Sequence, residues 1–141
     1  MNKTMGILMI ALALVIAIVP LFTDCLANGR TLTTADGRSV PMKCHWTALA
    51  EIGLAVPLAL VGVFNFTSKR KETFRTLNLV SLAQGALVIL FPTLLIGVCA
   101  NPMMPCNMIE KPLLIFSGIL VMGASLITLA NSRNFVELAA A

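Results

Sequence analysis

Four cysteines, Cys25, Cys44, Cys99 and Cys106, carry most of the chemistry this 141-residue chain has to offer. Thiols can close disulfides, exchange them, or bind soft metal ions. The two nearest, Cys99 and Cys106, are separated by six residues. Neither the C-x-x-C pair of redox enzymes nor a zinc motif built from two such pairs is therefore present. Structural disulfides are the favoured reading, because cysteines on the outer side of a membrane sit where disulfides persist. Four cysteines allow three connectivities. Cys25–Cys44 with Cys99–Cys106 is the natural choice, and the crossed pairings, which would staple the two halves of the chain together, stay open.

Other residue types gather near the cysteines. Met42, Cys44, His45, Met103, Met104, Cys106 and Met108 bring thioether, thiol and imidazole groups to one region, and such ligands select Cu(I). Methionine is also common in apolar segments for packing reasons, and disulfide-bonded sulfur is a poor ligand. No metal and no cofactor are assigned on this ground. His45 and Trp46 sit where an apolar segment begins, a place Trp prefers at a membrane interface. Glu51, seven residues past Cys44, lies about 10 Å further along a helix. An ionisable residue at that depth is a functional candidate, with His45 or Lys111 as its expected partner. Cys44, Thr47 and Glu51 share one helical face. The chain has one His, no Gly-rich phosphate loop and no Ser/His/acid set. No catalytic residue is assigned, and hydrolytic or phosphoryl-transfer chemistry is not expected.

The elements that must position these groups follow from composition. The chain is 58% hydrophobic and 11% charged, with a mean hydropathy of +0.94, far too apolar for a water-soluble domain of this size. Four stretches, residues 5–22, 47–66, 76–98 and 112–130, are long enough for a hydrocarbon core of roughly 30 Å, which needs about 20 helical residues. Unpaired backbone groups are costly in lipid and no alternating strand pattern occurs, so each is read as a helix. The expected fold is an all-α membrane protein, a four-transmembrane-helix bundle forming a single domain over residues 1–141. Lys3, Lys69, Arg70, Lys71, Arg75 and Arg133 flank one side, against the more diluted Arg30, Arg38, Lys43 and Lys111 on the other. The positive-inside rule then places both termini in the cytoplasm and the cysteines on the extracytoplasmic side of the cell membrane. The first segment begins as signal peptides do, with Lys3 before an apolar run. Its uncharged stretch is longer than usual, however, and no small residue precedes Cys25, so it is read as retained. The net charge of +4 is scattered over segment ends, which argues against nucleic acid as a partner.

An internal repeat organises the chain. Pro20 precedes Cys25 and Pro92 precedes Cys99, while Met42-Lys43-Cys44-His45 parallels Met104-Pro105-Cys106-Asn107. The unit is helix, Cys, loop, Met-x-Cys, helix, and it spans residues 1–68 and again 74–133. Two tandem helical hairpins related by an axis along the membrane normal are expected. Between Cys25 and Cys44, Asp36-Gly37 flanked by Thr and Val predicts a small extracytoplasmic β-hairpin with a two-residue turn. Asn78, Ser81 and Gln84 make a polar stripe at helical spacing. Gly53, Pro57, Ser117, Gly118, Gly123, Ala124 and Ser125 suggest close helix contacts, within the chain or with a partner.

The run Met42-Lys43-Cys44-His45-Trp46-Thr47-Ala48-Leu49-Ala50-Glu51-Ile52-Gly53, with Pro92-Thr93-Leu94-Leu95-Ile96-Gly97-Val98-Cys99 and Met103-Met104-Pro105-Cys106, resembles a family of small four-helix prokaryotic membrane proteins classed as a domain of unknown function. The likeness covers almost the whole chain. Its members are often encoded near transporter permeases, which implies an accessory role. The loop between Cys25 and Cys44 is longer here than in the family pattern. The expected function is a non-enzymatic accessory or structural subunit, working in the bilayer with a membrane-protein partner or a second copy of itself. A quinone-linked thiol–disulfide oxidoreductase is the alternative, and a copper-binding protein the third reading.

Overall fold

The computed structural model describes the backbone of residues 2–26, 28–67 and 71–140, and the side chains of residues 4–26, 28–67 and 72–131. The side chains of Lys3, Lys69, Arg70, Lys71 and Arg133, which set the expected orientation, lie outside the described residues. Four helices carry the fold: α1 (Asn2–Thr23), α2 (Lys43–Thr67), α3 (Lys71–Leu90) and α4 (Lys111–Ala140). A two-stranded sheet, β1 (Leu32–Thr33) with β2 (Ser39–Val40), lies between α1 and α2. Continuous helix extends α3 and α4 at the cysteine end through single π-helical turns, Phe91–Leu95 and Cys106–Glu110. All four helices are long and apolar enough to cross a membrane, over Thr4–Thr23, Lys43–Thr67, Glu72–Leu95 and Cys106–Asn131.

The chain is arranged as two hairpins. α1 packs mainly on α2 and α3 mainly on α4, with thinner contacts of α2 on α3 and α1 on α4. Each hairpin has one close approach that only glycine permits. A Cβ on Gly6 would stand 2.8 Å from the Gly62 carbonyl oxygen, and one on Gly118 would stand 2.8 Å from the Gly85 carbonyl oxygen. Small residues let backbones approach where lipid supplies no hydrophobic drive between helices. Nothing in the described residues lies within 4 Å of a Cβ added at Gly53 or Gly123, so neither marks a close contact between these helices. Along the centre, Met9, Ile16, Leu58, Val88, Leu114 and Val121 form a buried apolar core, while Phe22, Leu94 and Phe116 point outward, as lipid-facing residues do. The polar stripe turns inward: Asn78, Ser81 and Gln84 are all buried. Asn78 and Ser81 satisfy part of their polarity by donating to the Phe74 and Leu77 carbonyls one turn back.

The β1–β2 hairpin differs from expectation in its turn. Leu32 pairs with Val40 and Thr33 with Ser39. The Gly37 amide donates to the Thr34 carbonyl and the Thr34 amide to the Arg38 carbonyl, so the reversal takes three residues rather than the two of Asp36-Gly37. Gly37 has φ +75, the left-handed position that a three-residue hairpin loop needs and that glycine supplies without steric cost. The third helical run also stops short of residue 98. The Ile96 and Gly97 amides both reach the Phe91 carbonyl, and Gly97 at φ +79 turns the chain over the end of the bundle.

Candidate functional site

That turn places the cysteines. Cys25 follows the end of α1, Cys44 begins α2, Cys99 follows the Gly97 turn, and Cys106 starts the π-helical turn before α4. Pro20 in α1 and Pro92 within the Phe91–Leu95 turn each lack an amide proton for the helix ladder, which loosens regular hydrogen bonding shortly before Cys25 and Cys99. Thr47 fixes the arrangement from the other hairpin: its hydroxyl donates to the Gly97 carbonyl at 2.7 Å. Cys99, two residues further on, is thereby held over the start of α2.

All four thiols converge. Their Sγ atoms lie within 4.8 Å of one another. Cys44 and Cys99 approach to 3.1 Å, Cys25 and Cys99 to 3.6 Å, and Cys25 and Cys106 to 3.7 Å. No S–S bond joins the four sulfurs in this structure. Both hairpin ends meet at one point, so each sulfur has neighbours from both halves, and the shortest approach, Cys44 to Cys99, crosses between the hairpins rather than lying within either. Cys25, Cys44 and Cys106 are buried, and Cys99 is partly open. Burial, then hydrogen bonds with Cys44, Cys99 and Cys106, push the Cys25 thiol well above its ordinary value. Burial also works against ionisation of Cys99, but its hydrogen bonds with Cys44, Cys25 and Cys106 outweigh it and pull that thiol down. Cys99 is thus both the most accessible and the most readily ionised of the cysteines outside the helical spans.

Two thioethers complete a sulfur cluster. Met42 Sδ stands 3.7 Å from Cys99 Sγ, and Met104 Sδ stands 3.8 Å from Cys25 Sγ. Each methionine therefore touches a cysteine of the opposite hairpin. Met103 and Met108 point away, exposed, and take no part.

Beneath the sulfurs lies a group of acids. Glu51 is buried as expected, but neither His45 nor Lys111 pairs with it; both its carboxylate oxygens lack a partner among the described residues. His45 instead bonds through Nδ1 to Asp24 Oδ2 at 2.8 Å, because the end of α1 passes beside the first turn of α2. Trp46 is exposed, its ring edge-on to His45 at 5.8 Å. Glu110, which sequence reasoning passed over, is fully buried, and its Oε2 lies 3.0 Å from the Thr23 hydroxyl. A signal for it existed: Cys106 followed by Glu110 at four residues, like Cys44 followed by Glu51 at seven, puts a carboxyl below a thiol on one helical face.

The cluster's dimensions discriminate among chemistries. A single ion bound to four thiolates at about 2.3 Å in a tetrahedron requires sulfurs about 3.8 Å apart. Two of the separations, 3.6 and 3.7 Å, are at that value, the 3.1 Å approach of Cys44 to Cys99 is shorter, and all lie within 4.8 Å. Iron–sulfur clusters interpose inorganic sulfide and iron between their cysteines and need a wider cage than one within 4.8 Å.

A four-helix membrane bundle with a four-thiol centre at one end is the class that fold and site define. The chain belongs to the family described as domain of unknown function DUF4418, whose model matches residues 4–130. No curated protein and no solved structure matches it.

Proposed function

We propose that this protein is a membrane metal-binding subunit whose four cysteines hold a single thiophilic ion at one end of the bundle. The convergence of Cys25, Cys44, Cys99 and Cys106 Sγ atoms within 4.8 Å carries the reading. Disulfide partners need only pairwise proximity, whereas a tetrahedral ion needs four sulfurs drawn together from separate segments. By the distribution of Lys and Arg, the centre faces the extracytoplasmic side and both termini lie in the cytoplasm. One bundle of this size leaves little room for a gated path, so the protein holds the ion for a larger membrane complex or for a second copy rather than transporting it alone.

The test is metal analysis with differential alkylation on protein isolated from membranes without chelator. About one thiophilic ion per chain is expected, with the four thiols protected until a chelator removes it. Metal-free protein whose cysteines alkylate only after a reductant overturns the reading. A second reading rests on the 3.1 Å approach of Cys44 to Cys99. These two thiols would pass two electrons and two protons to a quinone, forming one S–S bond and a quinol. Reoxidation of one reduced pair by added quinone would establish it.

A further inference from the structure

Six sulfurs, not four, are gathered at this end of the bundle, and the two thioethers are placed reciprocally. Met42 comes two residues before Cys44 and touches Cys99; Met104 comes two residues before Cys106 and touches Cys25. Each half of the chain thus lends one thioether to a thiol of the other half. The deeper core seats Met9 among hydrocarbon side chains with no thiol in its cluster, so packing alone does not require a thioether to meet a thiol. Met42, Met104 and Cys99 are also the partly open members of the cluster, whereas the other three cysteines are closed off. An ion reaching the thiols from solvent meets the thioethers first.

We propose, building on the four-cysteine reading above, that Met42 and Met104 make this centre selective for monovalent copper over divalent zinc. Thioether sulfur is a good ligand for Cu(I), while zinc sites are built from thiolate, imidazole and carboxylate. Charge argues the same way. Four thiolates around a divalent ion leave a net charge of −2 at this end of the bundle, and the buried acids nearest it, Glu51 and Glu110, bring no cationic partner that could offset that charge among the described residues. A thioether adds a donor without adding negative charge. Cu(I) can therefore be held by fewer ionised cysteines, with methionine completing its coordination and the remaining thiols keeping their protons.

The experiment compares reduced wild type with a Met42→Leu/Met104→Leu double variant in lipid nanodiscs under anaerobic conditions. Zn(II) and Cu(I) are each offered against a competing chelator. Leucine keeps the apolar volume and removes only the sulfur. Wild type should bind one ion of either metal, with Cu(I) displacing Zn(II). The double variant should keep its Zn(II) affinity and lose Cu(I) affinity by about tenfold or more. Retained Zn(II) binding serves as the check on folding. An unchanged Cu(I) affinity, or an equal loss for both metals, overturns the selectivity role and leaves the four-cysteine site standing. If wild type binds neither ion, or if Cys44→Ser binds both as well as wild type does, the four-cysteine reading fails and this one with it.

Discussion

Gly118→Ala tests whether the α3–α4 hairpin is held by direct backbone contact. An added Cβ would sit 2.6 Å from Ile89 Cγ1 and 2.8 Å from the Gly85 carbonyl oxygen. Ile89 can change rotamer, but a backbone oxygen can yield only if the helices separate. Overpacking of this kind costs about 1–3 kcal/mol. Against it stands the gain of about 0.5–1 kcal/mol from replacing glycine by alanine within a helix. Gly123→Ala, in the same helix with nothing within 4 Å of its Cβ, carries that gain alone. The difference between the two variants cancels the propensity effect and isolates the packing cost. Gly118→Ala should be less stable than Gly123→Ala by about 1–3 kcal/mol. Trp46 is the only tryptophan and stands beside the thiol centre, so its emission during titration with a denaturing detergent reports the unfolding midpoint. Equal midpoints for the two variants would refute the close-contact account of this hairpin.

Thr47→Val removes the donor that holds the Gly97 carbonyl at 2.7 Å and should cost about 1 kcal/mol; it should also speed alkylation of Cys99, which an exclusively structural loss elsewhere in α2 would not do. In reduced, metal-free protein Cys99 should alkylate before Cys25. Its ionisation lies below the ordinary thiol value, so its rate should rise at lower pH than that of a free cysteine, as mass mapping over a pH series would record. Thr23 has one hydroxyl proton and the Val19 carbonyl at 2.9 Å to receive it, so a side chain at 110 that donates to Thr23 is tolerated. Glu110→Gln should retain wild-type thermal stability, while Glu110→Ala, which leaves a cavity beneath the thiols, should lose about 2 kcal/mol or more.

The four helices were legible because lipid imposes a length and an apolar composition that any membrane helix must meet. The inward turn of Asn78, Ser81 and Gln84 was legible from their helical spacing. Glu51 was recognised as buried from its distance past Cys44, but its surroundings were not, because they depend on how α1 and α4 pack against α2. The same limit hid Asp24 as the partner of His45, twenty-one residues away. Glu110 was overlooked because an acid next to Lys111 looks like an interfacial charge pair, and only the early start of helical structure at Cys106 brings it inside. Cysteine spacing in the sequence measures distance along the chain. The cluster depends on a different quantity, the meeting of two hairpin ends, and spacing says nothing about that.

Because the sulfurs come from both hairpins, the centre is completed only after the last helix is in place. During synthesis Cys25 and Cys44 emerge long before Cys99 and Cys106, and for that interval they have only each other. An oxidant acting then would lock the first hairpin's pair and leave the second without its partners. On the proposed metal-binding reading, the timing of α3 and α4 insertion relative to any oxidation of the first two thiols would set whether a finished molecule presents four thiols together or a pair of disulfides.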